Sequence, residues 1–462
     1  MPKIISLYGE ALELLQRRSA AGQTPRESLP TLPSEPFEIC DTLIDGLRRT
    51  ATPSGNLGED TAVRPSSQLT EDGRLFQSAL LFAYRVIEKL QHSGGEQGAP
   101  AEKLRHCAEV AMTLAAAGLS RDVVIAGILH DVLEAAAPAS PSYSLSKPRA
   151  ELQASLRGAI TYRFGANVET LVSAATEPPR TPDTFDFIYR KSAVWQRLQP
   201  NEQRADFIGE LAAIVCASKT NTFAKGLEFL AENKTTRGWS SGSLEENLFV
   251  CDALRARFVE ARVPAPLLDR FDSIVRSWRQ YLEQSSAPAY TPAGIPAACS
   301  FNAEALLLAK QITVITGGQT GVDRAALDAA LQLGYPVEGF CPAGRTAEDG
   351  IIDVRYPLRA SPSPDNAWRT IANARDADVT VIVSRGMPKD GTPLTSFACD
   401  FYRRPYLELS LDTPVDRAAF VAFVEKHQAK RINLAGPRES LDPGNVYIPA
   451  LRMFLDLLTP RS

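Results

Sequence analysis

Three residues in the first half of the chain have side chains that could bind a metal ion. His106 lies in the segment KLRHCAEVA, and His130 is followed directly by Asp131 in the segment AGILHDVLE. Two imidazoles and a carboxylate that converge from two helices are suitable ligands for Mn, Fe or Zn. The alternative is that both histidines are hydrogen-bonded core residues, because a single His-Asp pair is a weak signal.

A glycine-rich turn in the second half has the composition of an anion-binding loop. The segment ITVITGGQTGVDRAAL leads from β-branched residues through Gly317, Gly318 and Gly321 into an alanine-rich amphipathic run. This order predicts a strand, a tight turn and a helix. Glycine allows close backbone approach, and amide groups at a helix start face an anion. The spacing matches neither GxGxxG nor a Walker loop, so a plain tight turn is the alternative.

Helical patterns are expected to position the first group of residues. Apolar residues recur at helical spacing, and strand signals are nearly absent between residues 70 and 285. Ser120 is suited to cap a helix that continues to Ala137. We therefore predict an N-terminal helix and linker at 1–70 and an all-α domain at 71–284.

Strands alternate with helices after residue 300. The predicted strands are ITVIT, YPVEGF, VTVIVS, PYLELSL and RINLAG, with a helical pattern between successive strands. Such alternation predicts an α/β domain with a parallel sheet covered on both faces, and with ligands beyond the carboxyl ends of the strands. We place this domain at 305–462, after a Pro- and Ala-rich linker at 285–304.

The composition of the chain argues against binding to nucleic acid and against a membrane span, and it indicates the redox state of the cysteines. Its 462 residues are enough for two or three domains, and its formal charge of −4 comes with scattered Lys and Arg, so nucleic acid is not expected. No apolar run approaches the length of a membrane span. Seven widely spaced cysteines without a CxxC motif favour reduced thiols in a cytoplasmic protein.

The helical half resembles the hydrolase domain of RelA/SpoT-type alarmone enzymes, which belongs to the HD phosphohydrolase superfamily. The resemblance covers about residues 80–232 and rests on the segments around HDVLE, ITYRFGANVETLVSAATE and VCASKTNTFAKGLEFL, in that order. It implies a metal-dependent (pyro)phosphohydrolase for (p)ppGpp-like nucleotides. By this resemblance His106, His130 and Asp131 are metal ligands, with Mn as the favoured ion. It also implies that Glu134 is catalytic.

Two acidic residues that the resemblance leads us to expect are missing. Ala135 replaces one of two carboxylates that prepare the attacking water, and Ser218 replaces the fourth metal ligand. A neutral hydroxyl is a poor substitute for a carboxylate on a hard cation. Lys219 and Asn221 are then available for phosphate or base contacts, or are simply solvated. The expectation is an HD-type hydrolase or a degenerate descendant that serves as a scaffold.

The α/β half closely resembles the molybdenum-cofactor carrier family, a branch of the Rossmann-like SLOG superfamily. Five motifs recur in order over about residues 310–460, from TGGQTGVDRAALDAALQLG through WRTIANARDADVTVIVSRG and DGTPLT to INLAGPRES. The resemblance implies a nucleotide-like or molybdopterin-like phosphorylated ligand. The residues that would line its site are Gly317, Gly318, Gln319, Thr320, Gly321, Arg324, Arg345, Glu348, Asp349, Gly391, Thr392, Gly436, Pro437, Arg438 and Glu439.

The leading interpretation is a cytoplasmic two-domain protein that handles nucleotides. Arginine suits phosphate because its planar fork binds bidentately, although Arg345 and Arg438 could instead pair with nearby glutamates. Some SLOG relatives cleave N-glycosidic bonds with a Glu where this chain has Thr395, which disfavours that activity. The alternatives are a molybdenum-cofactor carrier with a non-catalytic docking domain and a nucleotide-sensing regulator. The expected partner is a small phosphorylated ligand. The sequence leaves homo-oligomer formation open, and no membrane partner is expected.

Overall fold

The computed structural model describes nine stretches of the chain, and it divides into two compact units. The stretches are 75–76, 78–83, 86–87, 100–135, 149–178, 186–233, 242–285, 302–385 and 391–461. The first unit lies within Met1–Pro182 and Ala193–Ala287, and the second within Asp183–Ser192 and Pro288–Ser462. The predicted helix and linker at 1–70 and most of the linker at 285–304 lie outside the described residues.

The regular elements of the first unit are all helices among its described residues, which confirms a helix-rich N-terminal region. One helix crosses the division between the two units, and no described helix is long and apolar enough to span a membrane. The helices up to residue 285 are α1 (Pro100–Ala116), α2 (Arg121–Leu129), α3 (Val132–Ala135), α4 (Arg149–Phe164), α5 (Ala166–Ala175), α6 (Asp186–Arg197), α7 (Ala205–Asn233), α8 (Leu244–Glu260) and α9 (Ala265–Ser285).

The helix predicted from Ser120 onward is interrupted at the candidate metal ligands. Ser120 caps α2, and its side chain accepts a hydrogen bond from the amide of Val123. The helix ends at Leu129 because the ring of His130 contacts the carbonyl oxygen of Gly127, at 2.8 Å. In a continuous helix, that carbonyl would accept a hydrogen bond from the amide of the next residue, Asp131. His130 and Asp131 therefore lie in a turn between α2 and α3, rather than within one continuous helix.

The long helix α7 organises the core of the helical unit. It packs against α1, α5 and α9, and its middle segment is buried. Large rings fill the space beside it, including the fully buried Trp278, whose Nε1 donates to the carbonyl oxygen of Phe223 at 2.9 Å. Phe258 and Phe271 meet edge to face, with centroids 5.3 Å apart. This packing fixes the position of Ser218, which lies on α7.

The second unit contains a five-stranded sheet and surrounding helices, which confirms the predicted α/β class. Its helices are α10 (Ala303–Leu308), α11 (Val322–Leu333), α12 (Asn366–Asp376), α13 (Gly391–Phe401), α14 (Arg417–Lys426) and α15 (Tyr447–Leu458). Its strands are β1 (Thr313–Ile315), β2 (Val337–Glu338), β3 (Phe340–Cys341), β4 (Thr346–Ala347), β5 (Gly350–Ile351), β6 (Arg359–Ala360), β7 (Val379–Ser384), β8 (Tyr406–Ser410) and β9 (Arg431–Ala435).

All pairings in the main sheet are parallel, in the order β2-β1-β9-β7-β8. The last strand in sequence, β9, therefore lies in the middle, between β1 and β7. Apolar residues of every main strand and of α11 and α15 form one core. Because the strands run in one direction, the turns after β1 and β9 come together at the same edge of the sheet. That edge carries the glycine turn and the segment 436–439.

Candidate functional sites

The three predicted metal ligands of the helical unit are brought together, and Ser218 joins them. One ligand atom of His106, of His130 and of Asp131 lies within 4.8 Å of each of the other two. The hydroxyl oxygen of Ser218 lies 3.3 Å from Nε2 of His106 and 3.2 Å from Nε2 of His130. The resemblance to HD enzymes placed the missing fourth ligand at Ser218, and the structure places that residue between the two imidazoles.

Hydrogen bonds on the far side of each ring fix the histidine tautomers. Nδ1 of His106 lies 2.6 Å from Oδ1 of Asn221, whose side-chain nitrogen donates to Glu109 at 2.5 Å. Nδ1 of His130 contacts the carbonyl oxygen of Gly127, which can only accept. Both Nδ1 atoms therefore carry a proton, and both Nε2 atoms face the hydroxyl of Ser218.

Burial and neighbouring groups shift the pKa values of two members of this cluster, His106 and Asp131. Burial lowers the pKa of His106 to about 4, so its imidazole is neutral near pH 7. Burial tends to raise the pKa of Asp131, but the adjacent His130 and His106 outweigh this effect and hold the pKa below its ordinary value. The carboxylate lies 3.1 Å from Nε2 of His130. Neutral imidazole and ionised carboxylate are the forms that ligate metals.

The remaining residues predicted near this cluster form its support. Lys219 is not solvated, because its ammonium group contacts the carboxylate of Glu177 at 2.7 Å. Burial lowers the pKa of Lys219, but Glu177 outweighs burial and raises it. Glu134 is half-buried in α3, close enough to contribute to the same rise in pKa. The side chain of Ala135 lies outside the described residues, so the catalytic assignment of Glu134 stays a prediction.

The glycine-rich segment of the second unit forms the predicted strand, turn and helix. β1 ends at Ile315, α11 begins at Val322, and Gly321 occupies the cap position between turn and helix. Gly318 and Gly321 have φ angles of 77° and 73°, which side chains other than glycine rarely adopt. A Cβ on Gly321 would lie 2.6 Å from the carbonyl oxygen of Pro437. The turn after β1 therefore packs directly against the turn after β9.

Three amides of this turn have no hydrogen-bond partner in the part of the chain that the structure describes. Gly317, Gly318 and Gly321 are buried, and their N–H groups donate to no acceptor among the described residues. The two amides between them are satisfied internally, by the side chains of Asp323 and Gln319 at 3.3 and 3.0 Å. Buried N–H groups without partners are costly, and they are commonly satisfied by a ligand or water. The turn is therefore suited to bind an anion.

Glu348 links the turn after β1 to the turn after β9. Its carboxylate accepts hydrogen bonds from the hydroxyl of Thr320 and from the amide and hydroxyl of Ser440, the last two at 3.0 and 2.6 Å. The amide of Glu348 donates to Gln319 at 2.9 Å. Burial tends to raise the pKa of Glu348, but the hydrogen bonds from Ser440 and Thr320 lower it overall. Glu348 therefore holds the two turns together in its ionised form.

Glu439 caps a helix within the same group of turns. Its two carboxylate oxygens each accept one amide hydrogen bond of 2.7 Å, from Gly444 and from Tyr447 at the start of α15. Its own amide donates to the hydroxyl of Thr320 at 3.2 Å. Gly436 lies beside β7, because a Cβ there would be 2.6 Å from the carbonyl oxygen of Val383. The segment 436–439 thus lies next to the glycine turn.

Arg324 and Arg345, two of the residues predicted to line the ligand site, have different environments. Arg324 lies against the turn, donates to the carbonyl oxygen of Gly318 and pairs with Asp349, each at 3.2 Å. Arg345 donates to four backbone carbonyls of the segment 352–358, at 2.7–3.2 Å. Among the described residues, Arg345 does not pair with Glu348, and its guanidinium group is not free. Its ligand-binding role stays a prediction, and the structure shows that it holds this segment in place.

Arg369 is a neighbour of the turn that sequence reasoning missed. Its guanidinium lies against Gly317, where a Cβ would be 2.3 Å from Nη1, and it pairs with the buried Asp323 at 3.0 Å. Burial raises the pKa of Asp323, although Arg369 opposes this effect. Nε of Arg369, like that of Arg324, is buried and has no hydrogen-bond partner in the described part of the chain. The helical pattern of α12 does not indicate which groups this long side chain contacts.

Gly391 and Thr392, which were predicted to line the ligand site, lie in a helix. These residues are the first two of α13, and their side chains, like residues 386–390, lie outside the described residues. Thr395, which stands where some SLOG relatives have a glutamate, is buried in the same helix. No contact of this group with the glycine turn is described. Its binding role stays a prediction.

The sequence of the second unit matches a known family. Residues 314–457 match the model of the Circularly permutated YpsA SLOG family. The chain belongs to this family through its C-terminal α/β unit. A solved structure from Syntrophus aciditrophicus SB, described as a molybdenum carrier protein, is 37% identical, with 32% of this chain and 93% of that chain covered and a TM-score of 0.30. That likeness does not decide the fold or the ligand. No curated protein matches the chain.

Proposed function

We propose that the C-terminal SLOG unit of this cytoplasmic protein binds a nucleotide-like or molybdopterin-like phosphorylated ligand at the turn 316–321. The observation that carries the proposal is the set of three buried amides, at Gly317, Gly318 and Gly321, without a described partner. They lie at the carboxyl end of β1 and at the start of α11, where the helix dipole favours negative charge.

The charged side chains around the turn fit a phosphate better than a neutral ligand. Arg369 and Arg324 both approach the turn, and each keeps a buried Nε without a described partner. A guanidinium group can give a phosphate two parallel hydrogen bonds. Asp323 pairs with Arg369 and fixes its guanidinium beside Gly317. A phosphoryl group at the turn would thus meet backbone amides and two arginines.

Calorimetry on the full chain tests this proposal. Wild type is titrated with inorganic pyrophosphate, AMP, GMP and a phosphorylated pterin, and at least one of them should bind. Arg369→Gln should weaken that binding by about 1.5–3 kcal/mol, the value of a charge-assisted hydrogen bond. Arg359→Gln is the matched control, because Arg359 is exposed and its guanidinium lies over the ring of Phe340. Equal loss in both variants, or no binding in wild type, would contradict the proposal.

For the helical unit we propose a degenerate descendant of an HD-type (pyro)phosphohydrolase, which acts as a scaffold. The support is the convergence of His106, His130 and Asp131, with a serine at the position of the fourth ligand. Turnover of guanosine tetraphosphate should be absent or slow, because loss of one proton-transfer group costs about two to four orders of magnitude. Robust hydrolysis that Asp131→Ala abolishes would contradict this proposal and would favour an active enzyme.

A carrier or a sensor would use the same glycine turn without chemistry. The protein would then retain the ligand through purification, and mass spectrometry of the released small molecules would identify it. A molybdopterin-type molecule would favour the carrier, and a nucleotide would favour the sensor.

A further inference from the structure

Part of the amide supply of the turn 316–321 is used within the protein. The amide of Thr316 donates to the carbonyl oxygen of Glu338 at 3.2 Å. The amide of Gln319 donates to Asp323 at 3.3 Å, and that of Thr320 donates to the side chain of Gln319 at 3.0 Å. Among the described residues, the turn therefore leaves its three glycine amides for a ligand.

The neighbouring turn after β9 does not extend this set of amides. The amide of Glu439 donates to the hydroxyl of Thr320 at 3.2 Å, and that of Ser440 donates to the carboxylate of Glu348 at 3.0 Å. A loop that binds several phosphates along a nucleotide offers a longer run of backbone N–H groups. Both turns here spend the adjacent amides on protein acceptors.

The side-chain donors at the turn are also few. Arg324 pairs with Asp349 at 3.2 Å and Arg369 with Asp323 at 3.0 Å, so each guanidinium already has a carboxylate partner. Each of the two arginines keeps one buried Nε without a described partner. The fully buried Oγ of Thr316, at the start of the turn, likewise has no hydrogen-bond partner in the described part of the chain. These single donors can complete the binding of one small group.

Carboxylates balance the positive charge around the free amides. Glu348 accepts a hydrogen bond from the hydroxyl of Thr320, and its lowered pKa keeps it ionised near pH 7. Arg438 contributes to that lowering and offsets this charge. Because Asp323 and Asp349 are paired with the other two arginines, positive charge is matched before any ligand binds. A ligand with several negative charges would find no surplus of positive charge here.

We propose that the turn binds a single phosphoryl group, as a phosphomonoester presents it, and discriminates against di- and triphosphates. This inference rests on the proposed binding of a phosphorylated ligand at the same turn and narrows the class of that ligand. A phosphomonoester has three acceptor oxygens, which matches the three free amides. A second phosphoryl group would meet amides that are already used, and burying its charge without donors is costly. Nucleoside monophosphates and singly phosphorylated pterins belong to the favoured class.

Calorimetry of the full chain with matched pairs of compounds tests this inference. The pairs are phosphate and pyrophosphate, AMP and ADP, and GMP and GDP, each titrated with EDTA and again with Mg²⁺. In every pair that binds, the compound with one phosphoryl group should bind at least about tenfold more tightly, because one uncompensated charge near other charges costs that much. Equal or tighter binding of the diphosphate would overturn the inference and leave the proposed function standing. No binding of any compound would contradict the proposed function itself.

A charge-removing substitution tests why the diphosphate is rejected. Asp349→Asn should reduce the preference for AMP over ADP by about threefold or more, because Arg324 then loses its carboxylate partner. Asp456→Asn is the matched control. Asp456 lies in the last turn of α15, pairs with Arg461 and has a side chain 43% exposed, against 48% for Asp349. An unchanged preference in Asp349→Asn, or the same change in Asp456→Asn, would overturn the inference that carboxylates at the turn set the preference.

Discussion

At the residue scale, the glycines of the turn 316–321 are required by protein atoms as well as by any ligand. Sequence reasoning assigned Gly318 and Gly321 to close approach of a ligand. The space that a Cβ would need is occupied by the side chain of Leu358 at Gly318, and by the backbone of 437–439 at Gly321. A Cβ at either position would therefore disturb the packing of the unit itself, and the amides without a described partner carry the binding argument.

Gly321→Ala should destabilise the α/β unit more than Gly334→Ala. The two glycines lie at opposite ends of α11. Gly334 is left-handed helical (φ 77°, ψ 26°), where a side chain costs about 1–2 kcal/mol, whereas Gly321 (φ 73°, ψ −125°) lies in a region that glycine almost alone adopts. Only at Gly321 would the Cβ collide with backbone, because nothing lies within 4 Å at Gly334. Urea unfolding, followed by hydrogen exchange of peptides from the α/β unit, measures both. Equal losses would show that the two turns do not pack as described.

Glu348→Gln should remove a pH-dependent contribution to the stability of the turns. The folded-state pKa of Glu348 is lowered from its ordinary value of 4.5, so its contribution is fully present above 4.5 and is lost as the pH falls through the lowered value. Urea unfolding of wild type and variant at neutral and acidic pH should show a difference at pH 7 that shrinks below 4.5. A difference independent of pH would mean that the ionised carboxylate does not link the turns.

At the element scale, the sequence predicts the strands well and the loop contacts poorly. The runs ITVIT, VTVIVS and RINLAG became β1, β7 and β9, because β-branched residues in short apolar runs suit buried parallel strands. The break at His130 was missed, because it depends on one side chain that takes a helical carbonyl. The contacts of Arg345 and Arg369 could not be predicted either, because a long side chain can reach groups far from it in sequence.

Arg345→Gln should loosen the segment 346–358. In wild type the guanidinium of Arg345 contacts the carbonyls of Ile352, Asp353, Tyr356 and Leu358, and its own carbonyl accepts from the amide of Ile352. Hydrogen exchange of peptides from this segment should become faster in the variant, and Arg359→Gln should leave it unchanged. Unaltered exchange in Arg345→Gln would show that these four contacts do not order the segment.

At the scale of the whole molecule, each of the two units carries its own group of candidate functional residues. The family match covers the second unit and supports its SLOG assignment. In the helical unit the structure brings His106 close to His130 and Asp131, as the sequence led us to expect, and their role as metal ligands stays a prediction. The identity of the ligand could not be predicted, because an unpaired amide recognises an anion and not the molecule that carries it.

The binding of phosphate oxygens by the glycine turn is the central claim, and backbone amide resonances test it most directly. Selective ¹⁵N-glycine labelling of the full chain allows the amides of Gly317, Gly318 and Gly321 to be followed during titration with inorganic pyrophosphate and with AMP. Gly334 and Gly165 serve as references, because Gly334 lies at the opposite end of α11 and Gly165 precedes α5 in the helical unit. We predict that the three turn amides shift together with one affinity while both references stay fixed. Saturable binding that shifts other glycines and leaves these three unmoved, or no shift with either compound, would contradict the account.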